Sequence, residues 1–293
     1  MFEKHSEKDA ALETAILLVQ CSDQKGIVAK ISDFVYRYNG NIHQSDQYST
    51  DPENGRFFMR LEFCFDPKQV PAAHLEKEFE ILAGGLKADW TMKYASTRMK
   101  MGIMVSRFDH CLVELLYLWR SGELRVDIPV VISNHPDVED IVKSYGVTFQ
   151  YLPVRSDSKR RDEQKQLELL QDTDFLVLAR YMQILSGDFI AGYGKDIINI
   201  HHSFLPSFKG ANPYRQAYDR GVKVIGATAH YVTEDLDEGP IIDQVVERVS
   251  HRDTVQDLKR KGKHLEQIAL ANAIRAHVEH RVIRFRNKTI VFA

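Results

Sequence analysis

Apolar and polar positions divide the chain into two rhythms. Thr14–Gln20 is an apolar run rich in branched residues, which predicts a buried strand. Cys21–Lys25 is polar and ends at Gly26. Ile27, Ile31, Phe34, Val35 and Tyr38 then recur at helical spacing until Asn39-Gly40 stops the helix. Asn41–Ser49 reads as a strand, Asp51–Gly55 as a turn, and Arg56–Phe65 as the second strand of a hairpin. Val70–Leu82 has helical periodicity and Lys87–Tyr94 closes the set with a strand. The order βαββαβ predicts a ferredoxin-like unit over residues 1–95.

From Met99 strand-like and helix-like runs alternate. Strands are expected at Lys100–Val105, Ile128–Ser133, Thr148–Leu152, Phe175–Ala179 and Ile197–Ile200. Helices are expected at Cys111–Ser121, Asp137–Tyr145, Glu163–Leu170 and Asp188–Tyr193. Such alternation predicts an α/β domain over 96–293, a Rossmann-like, mostly parallel sheet covered on both faces. Ala95–Lys100 is the linker. Val222–Val232 and Pro240–Val249 add two strands around the acidic turn Glu234–Gly239, a long amphipathic helix covers Thr254–Glu279, and Val282–Phe285 with Thr289–Phe292 forms a closing hairpin. There are no internal repeats.

Composition narrows the partners. The 293 residues are 44% hydrophobic and 27% charged, enough for sizeable cores, and the formal net charge of −2 offers no basic surface for a phosphate backbone. No nucleic-acid partner is expected. The three cysteines, Cys21, Cys64 and Cys111, form no C-x-x-C pair, which fits a reducing, cytoplasmic setting. The first residues are polar and no apolar run reaches membrane-spanning length, so no membrane partner is expected either.

Candidate chemistry concentrates in Ile197–Gly210, where an apolar strand runs into Asn199, His201, His202 and Ser203. Ligands of parallel α/β sheets bind beyond the carboxyl ends of the strands. Strand alternation turns Asn199 and His201 to one side, where an amide and an imidazole could converge on a carbonyl oxygen that gains charge in acyl chemistry. The same pair would also serve a purely structural end of strand. His201 and His202 point to opposite faces and make poor co-ligands, so no metal is expected. The carboxylates Glu234, Asp235, Asp237 and Glu238 read either as a solvated turn or as the home of a buried general base, its pKa raised by desolvation.

Asn199-Ile-His-His-Ser-Phe-Leu-Pro-Ser-Phe-Lys-Gly210, followed by His230-Tyr-Val-Thr-Glu-Asp-Leu-Asp-Glu-Gly239, resembles the signature of the formyltetrahydrofolate-dependent formyltransferases, from about Met99 onward. The resemblance implies that Asn199, His201 and Asp237 are catalytic. It also implies that Met182, Gln183, Ile184 and Leu185, with Val232, Thr233, Glu234 and Asp235, cradle the pterin ring. Two departures separate the chain from other members. The turn Val105-Ser-Arg-Phe-Asp-His-Cys111 lacks the glycines that bring backbone amides to a substrate phosphate, although Arg107 could still bind an anion. Little sequence is left for the additional C-terminal domain of a tRNA formyltransferase.

Gln20–Ile31 followed by Asn39-Gly-Asn-Ile42 resembles an ACT domain, which implies an amino-acid effector near Asp23, Gly26 and Asn41, and edge-to-edge pairing into a homo-oligomer. The fusion is similar to the formyltetrahydrofolate deformylases of one-carbon metabolism and purine biosynthesis. That implies hydrolysis of 10-formyltetrahydrofolate to formate and tetrahydrofolate, Asp237 acting as base for water and Asn199 and His201 stabilising the oxyanion, with no cofactor beyond the folate substrate. Two other readings stay open: transfer of the formyl group to an amine, Arg107 replacing the glycine loop, and a catalytically inactive amino-acid sensor.

Overall fold

A computed structural model describes residues 12–51, 54–154, 159–207 and 212–293. The chain divides into two compact units, Met1–Thr97 with Phe292–Ala293, and Arg98–Val291. The division falls within the expected linker, two residues later than the predicted boundary.

The first unit contains β1 (Glu13–Ser22), α1 (Ile27–Arg37), β2 (Asn41–Ser49), β3 (Arg56–Phe65), α2 (Ala72–Leu86) and β4 (Asp89–Tyr94). The sheet is antiparallel with strand order β2-β3-β1-β4, the ferredoxin-like arrangement expected. Its core joins Leu17, Val19, Leu61 and Phe63 of the central strands to Ile31, Phe34, Leu75 and Phe79 of the helices. Helix α2 runs past the predicted end at Leu82, through Gly84 and Gly85, to a cap at Lys87 in the left-handed conformation. The buried Leu86 anchors this last turn, so packing overrides the poor helix propensity of the two glycines. Pro52 and Glu53 of the expected turn lie outside the described residues, as does the polar N-terminus through Ala11.

The second unit follows as β5 (Met99–Val105), α3 (His110–Ser121), β6 (Val126–Asp127), β7 (Val131–Ser133), α4 (Glu139–Ser144), β8 (Phe149–Tyr151), α5 (Lys159–Leu169), β9 (Phe175–Ala179), α6 (Gly187–Tyr193), β10 (Asp196–His201), α7 (Pro213–Asp219), β11 (Val224–Tyr231), β12 (Ile241–Arg248), α8 (Val255–Val278), β13 (Val282–Phe285) and β14 (Lys288–Val291). The large sheet has the order β12-β11-β10-β9-β5-β7-β8, with β6 beside β5. Pairing is parallel from β8 to β10 and antiparallel across β10–β11 and β11–β12. Alternation shows why both faces are covered. Met101, Ile103 and Val105 enter one apolar cluster with Phe175, Val177 and Ala179, while Met104, Leu176 and Leu178 enter another.

Three differences from the sequence expectation bear on the site. The strand expected over Ile128–Ser133 is confined to Val131–Ser133, with a two-residue strand at Val126–Asp127 ahead of Pro129, whose missing N–H cannot join a ladder. Helix α5 begins at Lys159, four residues early, because its first turn is polar and carries no apolar period. Helix α7 was not anticipated at all; its signal is Pro213 at the first helical position, which is favourable there because that N–H has no intrahelical partner. Among the described residues no helix is long and apolar enough to cross a membrane.

Candidate active site

Strand β10 brings the site into being. Ile198 and Ile200 enter the cluster on one face of the sheet, while Ile197, Asn199 and His201 share the other side of the strand. The antiparallel partner β11 places His230 opposite Asn199 and Thr228 opposite His201. Beyond β11 the chain turns through Val232–Gly239 and returns in β12. The turn depends on Gly239: a Cβ there would lie 1.8 Å from the Tyr231 carbonyl oxygen. It also depends on Asp237 accepting a left-handed backbone, φ 57°, which short polar side chains tolerate better than most. That backbone turns the Asp237 carboxylate back onto β10.

The resulting geometry is compact. Nδ1 of His201 lies 3.2 Å from Oδ2 of Asp237. Oδ1 of Asp237 is 3.7 Å from Nε2 of His230. His230 donates from Nδ1 to the Tyr231 carbonyl at 2.9 Å, which leaves Nε2 to accept from the Asn199 amide at 3.2 Å. The buried ring is therefore neutral and fixed in one tautomer, and burial pushes its pKa down. One Asn199 N–H is committed to His230 and the other remains for a substrate oxygen. Nε2 of His201 is buried without a protein partner. His202, beside His201 with ring centroids 5.3 Å apart, is held down to about 4 by burial and then by the Arg180 charge.

Asp237 departs from the sequence expectation. Its pKa is not raised: the hydrogen bond from His201 outweighs desolvation and holds the carboxyl below its usual range. Asp237 is an anchored carboxylate, ionised in the resting site. The solvated-turn reading does hold for the neighbouring carboxylates Glu234, Asp235 and Glu238, which are exposed.

Asn199, His201 and Asp237 open into a cavity of about 1200 Å³. All eight expected pterin-cradle residues, Met182–Leu185 and Val232–Asp235, line it. Val232 is pinned through its N–H to the Ile197 carbonyl at 2.8 Å, and Met182 through its N–H to Ser106 Oγ at 3.0 Å. Met182 and Ile184 are 51% and 62% exposed, an apolar surface suited to a flat ring. The remaining motif residues Phe208–Gly210 lie outside the described residues.

Other expected residues are not brought together. Arg107 is exposed and donates to His135 Nδ1 at 3.4 Å; from its turn, Phe108 and His110 line the cavity instead. In the first unit, Asp23 Oδ2 accepts from Ser49 Oγ at 2.5 Å, at the far end of β2 from Asn41. Eight residues of extended chain span about 27 Å, so Asp23 and Asn41 do not share one site. Gly26 caps α1 in the left-handed conformation, φ 87°.

Sequence reasoning missed a buried polar cluster that also lines the cavity. Glu266 of α8, 1% exposed, meets His110 Nε2 at 2.8 Å, the Tyr214 hydroxyl at 2.6 Å and Arg180 Nε at 3.3 Å. A glutamate beside Leu265 on the apolar stripe of α8 was the available signal. Burial acts to raise its pKa, but His110, Arg180 and Tyr214 together bring it below the ordinary value. His110, Cys111 and Glu266 present ligand-type atoms within 4.8 Å of one another. The carboxylate is already engaged by a guanidinium, and burial drives the thiol well up, so this grouping is poorly disposed to a cation.

Both the fold and this site define a class. The sequence model described as formyl transferase matches residues 99–274, and glycinamide ribonucleotide transformylase 1 of Symbiobacterium toebii superposes with a TM-score of 0.64 at 30% identity, covering 68% of this chain and 97% of that one. A formyltetrahydrofolate deformylase of Synechocystis is 49% identical over 96% of this chain and 99% of its own length. The crystal structure of another, from Pseudomonas syringae pv. tomato, superposes with a TM-score of 0.91 at 43% identity, covering 96% of this chain and 95% of that one. The chain belongs to the formyltetrahydrofolate deformylase family, as the paired motifs and the N-terminal unit implied.

Proposed function

We propose that the chain hydrolyses 10-formyltetrahydrofolate to formate and tetrahydrofolate. The observation that carries the reading is the Asp237 carboxylate, fixed on His201 at 3.2 Å and opening into the cavity beside an Asn199 amide that is itself held by His230. Asp237 has two oxygens for two tasks: Oδ2 anchors His201, and Oδ1 positions the attacking water and receives its proton. Water oxygen bonds to the formyl carbon, and negative charge collects on the formyl oxygen. The spare Asn199 N–H donates to that oxygen. His201, held at Nδ1 by Asp237, presents Nε2 to the same oxygen and stabilises it as the charge develops. Collapse of the adduct breaks the carbon–nitrogen bond, and the proton held by Asp237 passes to the departing folate nitrogen. The oxidation state does not change, so the reaction calls for no redox cofactor.

Asp237→Asn tests this directly. General base catalysis contributes about 10²–10⁴ in rate, so kcat falls by that order while the folate dissociation constant stays within a few fold. Near-normal formate release by the variant would refute the role of Asp237.

The ferredoxin-like topology supports reading the first unit as an ACT-type regulatory module that pairs chains into a homo-oligomer. An amino-acid effector is then taken at the Asp23–Gly26 turn. Formate release measured across a panel of amino acids tests this, and a flat response speaks against it. The three free cysteines support a reducing, cytoplasmic setting.

A further inference from the structure

Phe108, His110, Arg180, Tyr214 and Glu266 also line the cavity, and nothing in the hydrolytic reaction uses them. They reach the catalytic residues through a short series of rings. His202 stands between His201 and Tyr214, with centroid separations of 5.3 and 6.1 Å, and the Tyr214 hydroxyl donates to Glu266. A nucleophile larger than water that entered on this side of His201 would meet these side chains.

Both oxygens of Glu266 are engaged: Oε1 accepts from Tyr214 and Oε2 meets His110, with Arg180 Nε at ion-pair distance, 3.3 Å, and no hydrogen bond of its own. Arg180 is only 8% exposed, with its guanidinium 5.3 Å from the Phe108 ring. It follows directly on β9 with φ 62°, a left-handed conformation that a long side chain adopts only where its surroundings hold it. The opposite wall yields to make room: Gly262 of α8 faces Tyr214, whose hydroxyl would be 2.0 Å from an added Cβ.

The structure assigns to Arg180, buried and ion-paired with Glu266 beside His110 and Tyr214, the exclusion of amine acceptors from the formyl carbon, which leaves water as the nucleophile. The assignment rests on the hydrolytic reading above and names its specificity determinant. Water fits between Asp237 and the substrate without disturbing the cluster. A primary amine carrying a substituent needs the volume of the guanidinium, and it meets a carboxylate whose oxygens are engaged. The same fold in the Symbiobacterium relative, a glycinamide ribonucleotide transformylase by name, shows that the barrier is not inherent in the architecture.

The test is partition of the formyl group. The full chain is incubated with 10-formyltetrahydrofolate and either hydroxylamine or glycinamide, and formate and formylated amine are quantified against enzyme-free controls. The wild type releases formate, with no formylated amine above control and no inhibition by either acceptor. Arg180→Gly suits the left-handed backbone and opens the pocket; its ratio of formylated amine to formate rises to at least about tenfold above the enzyme-free control, whatever its absolute rate. Arg180→Gly combined with Glu266→Gln relieves the buried charge that the single variant exposes, and shifts the ratio in the same direction. Arg180→Lys with Glu266 intact keeps a bulky cation in place and keeps the wild-type ratio. Active glycine variants that partition like the wild type overturn the assignment, as does a wild type that formylates either amine efficiently. Absence of formate release by the wild type without acceptor would instead refute the hydrolytic reading, which separates the two failures.

Discussion

Gly239→Ala tests whether the return of the acidic turn onto β10 sets the catalytic geometry. A Cβ at 239 would stand 1.8 Å from the Tyr231 carbonyl oxygen and 3.3 Å from Thr233 Cγ2. The first neighbour is backbone and cannot rotate away. Regaining even a tight contact requires a shift of about 1 Å or more, and a misplacement of that size costs about 100-fold in rate when it moves a reacting group. The shift falls on the segment that carries the Tyr231 N–H to Pro240 carbonyl bond, 2.9 Å, and it draws Asp237 away from His201. Overpacking of this kind also destabilises by about 1–3 kcal/mol. Steady-state formate release and thermal melts of the same preparation separate the two effects. The expected result is a folded variant with kcat down by about two orders of magnitude and a modestly lower Tm. A variant with kcat within a factor of about three of the wild type would refute the claim that this close approach positions Asp237.

Asn199→Ala removes one donor to the developing oxyanion, and kcat falls about 10²–10³ with little change in KM, measured by initial-rate kinetics. His230→Phe keeps the buried ring but leaves the Asn199 amide unheld; kcat falls by a smaller factor than in Asn199→Ala, and the double variant is no worse than Asn199→Ala alone, whereas additive losses would contradict the positioning role. Burial holds His202 and His277 at about 4, well below the usual 6.5 of an unfolded chain, so the unfolded state takes up protons first as the pH falls. Their stabilisation is complete above pH 6.5 and is lost between 6.5 and about 4, on the order of 3 kcal/mol for each group. Melts across that range show a falling Tm, and His277→Gln flattens the slope; a Tm independent of pH would contradict this. Glu266→Ala strands Arg180 and His110 in the interior and lowers stability by about 3–5 kcal/mol, read from denaturant midpoints.

Much of this architecture is legible in the sequence because burial writes itself as period. The alternation in β9 and β10 and the spacing of Ile27, Ile31 and Phe34 report directly which faces are covered. The three catalytic candidates were legible as a motif rather than by spacing, since a strand end with Asn and His reads the same whether structural or reactive. Local pattern does not carry what depends on tertiary approach. The depressed pKa of Asp237 arises from His201, which is distant in sequence, so desolvation alone predicted the wrong direction. Arg180 and Glu266 meet only because β9 and α8 converge, and Arg107, attractive as an anion site in the turn, faces His135 instead. The expected effector residues are separated for a related reason: within one chain Asp23 meets Ser49 at one end of β2 while Asn41 begins the other.

If Asn199, His201 and Asp237 deliver the formyl group to water, the purified full chain releases formate from 10-formyltetrahydrofolate with no amine acceptor present, and measuring that release is the most direct test. Many turnovers are expected, with formate and tetrahydrofolate formed in equal amounts. Formyl-group loss that requires an added amine, or a chain that binds folate and releases no formate, would contradict it.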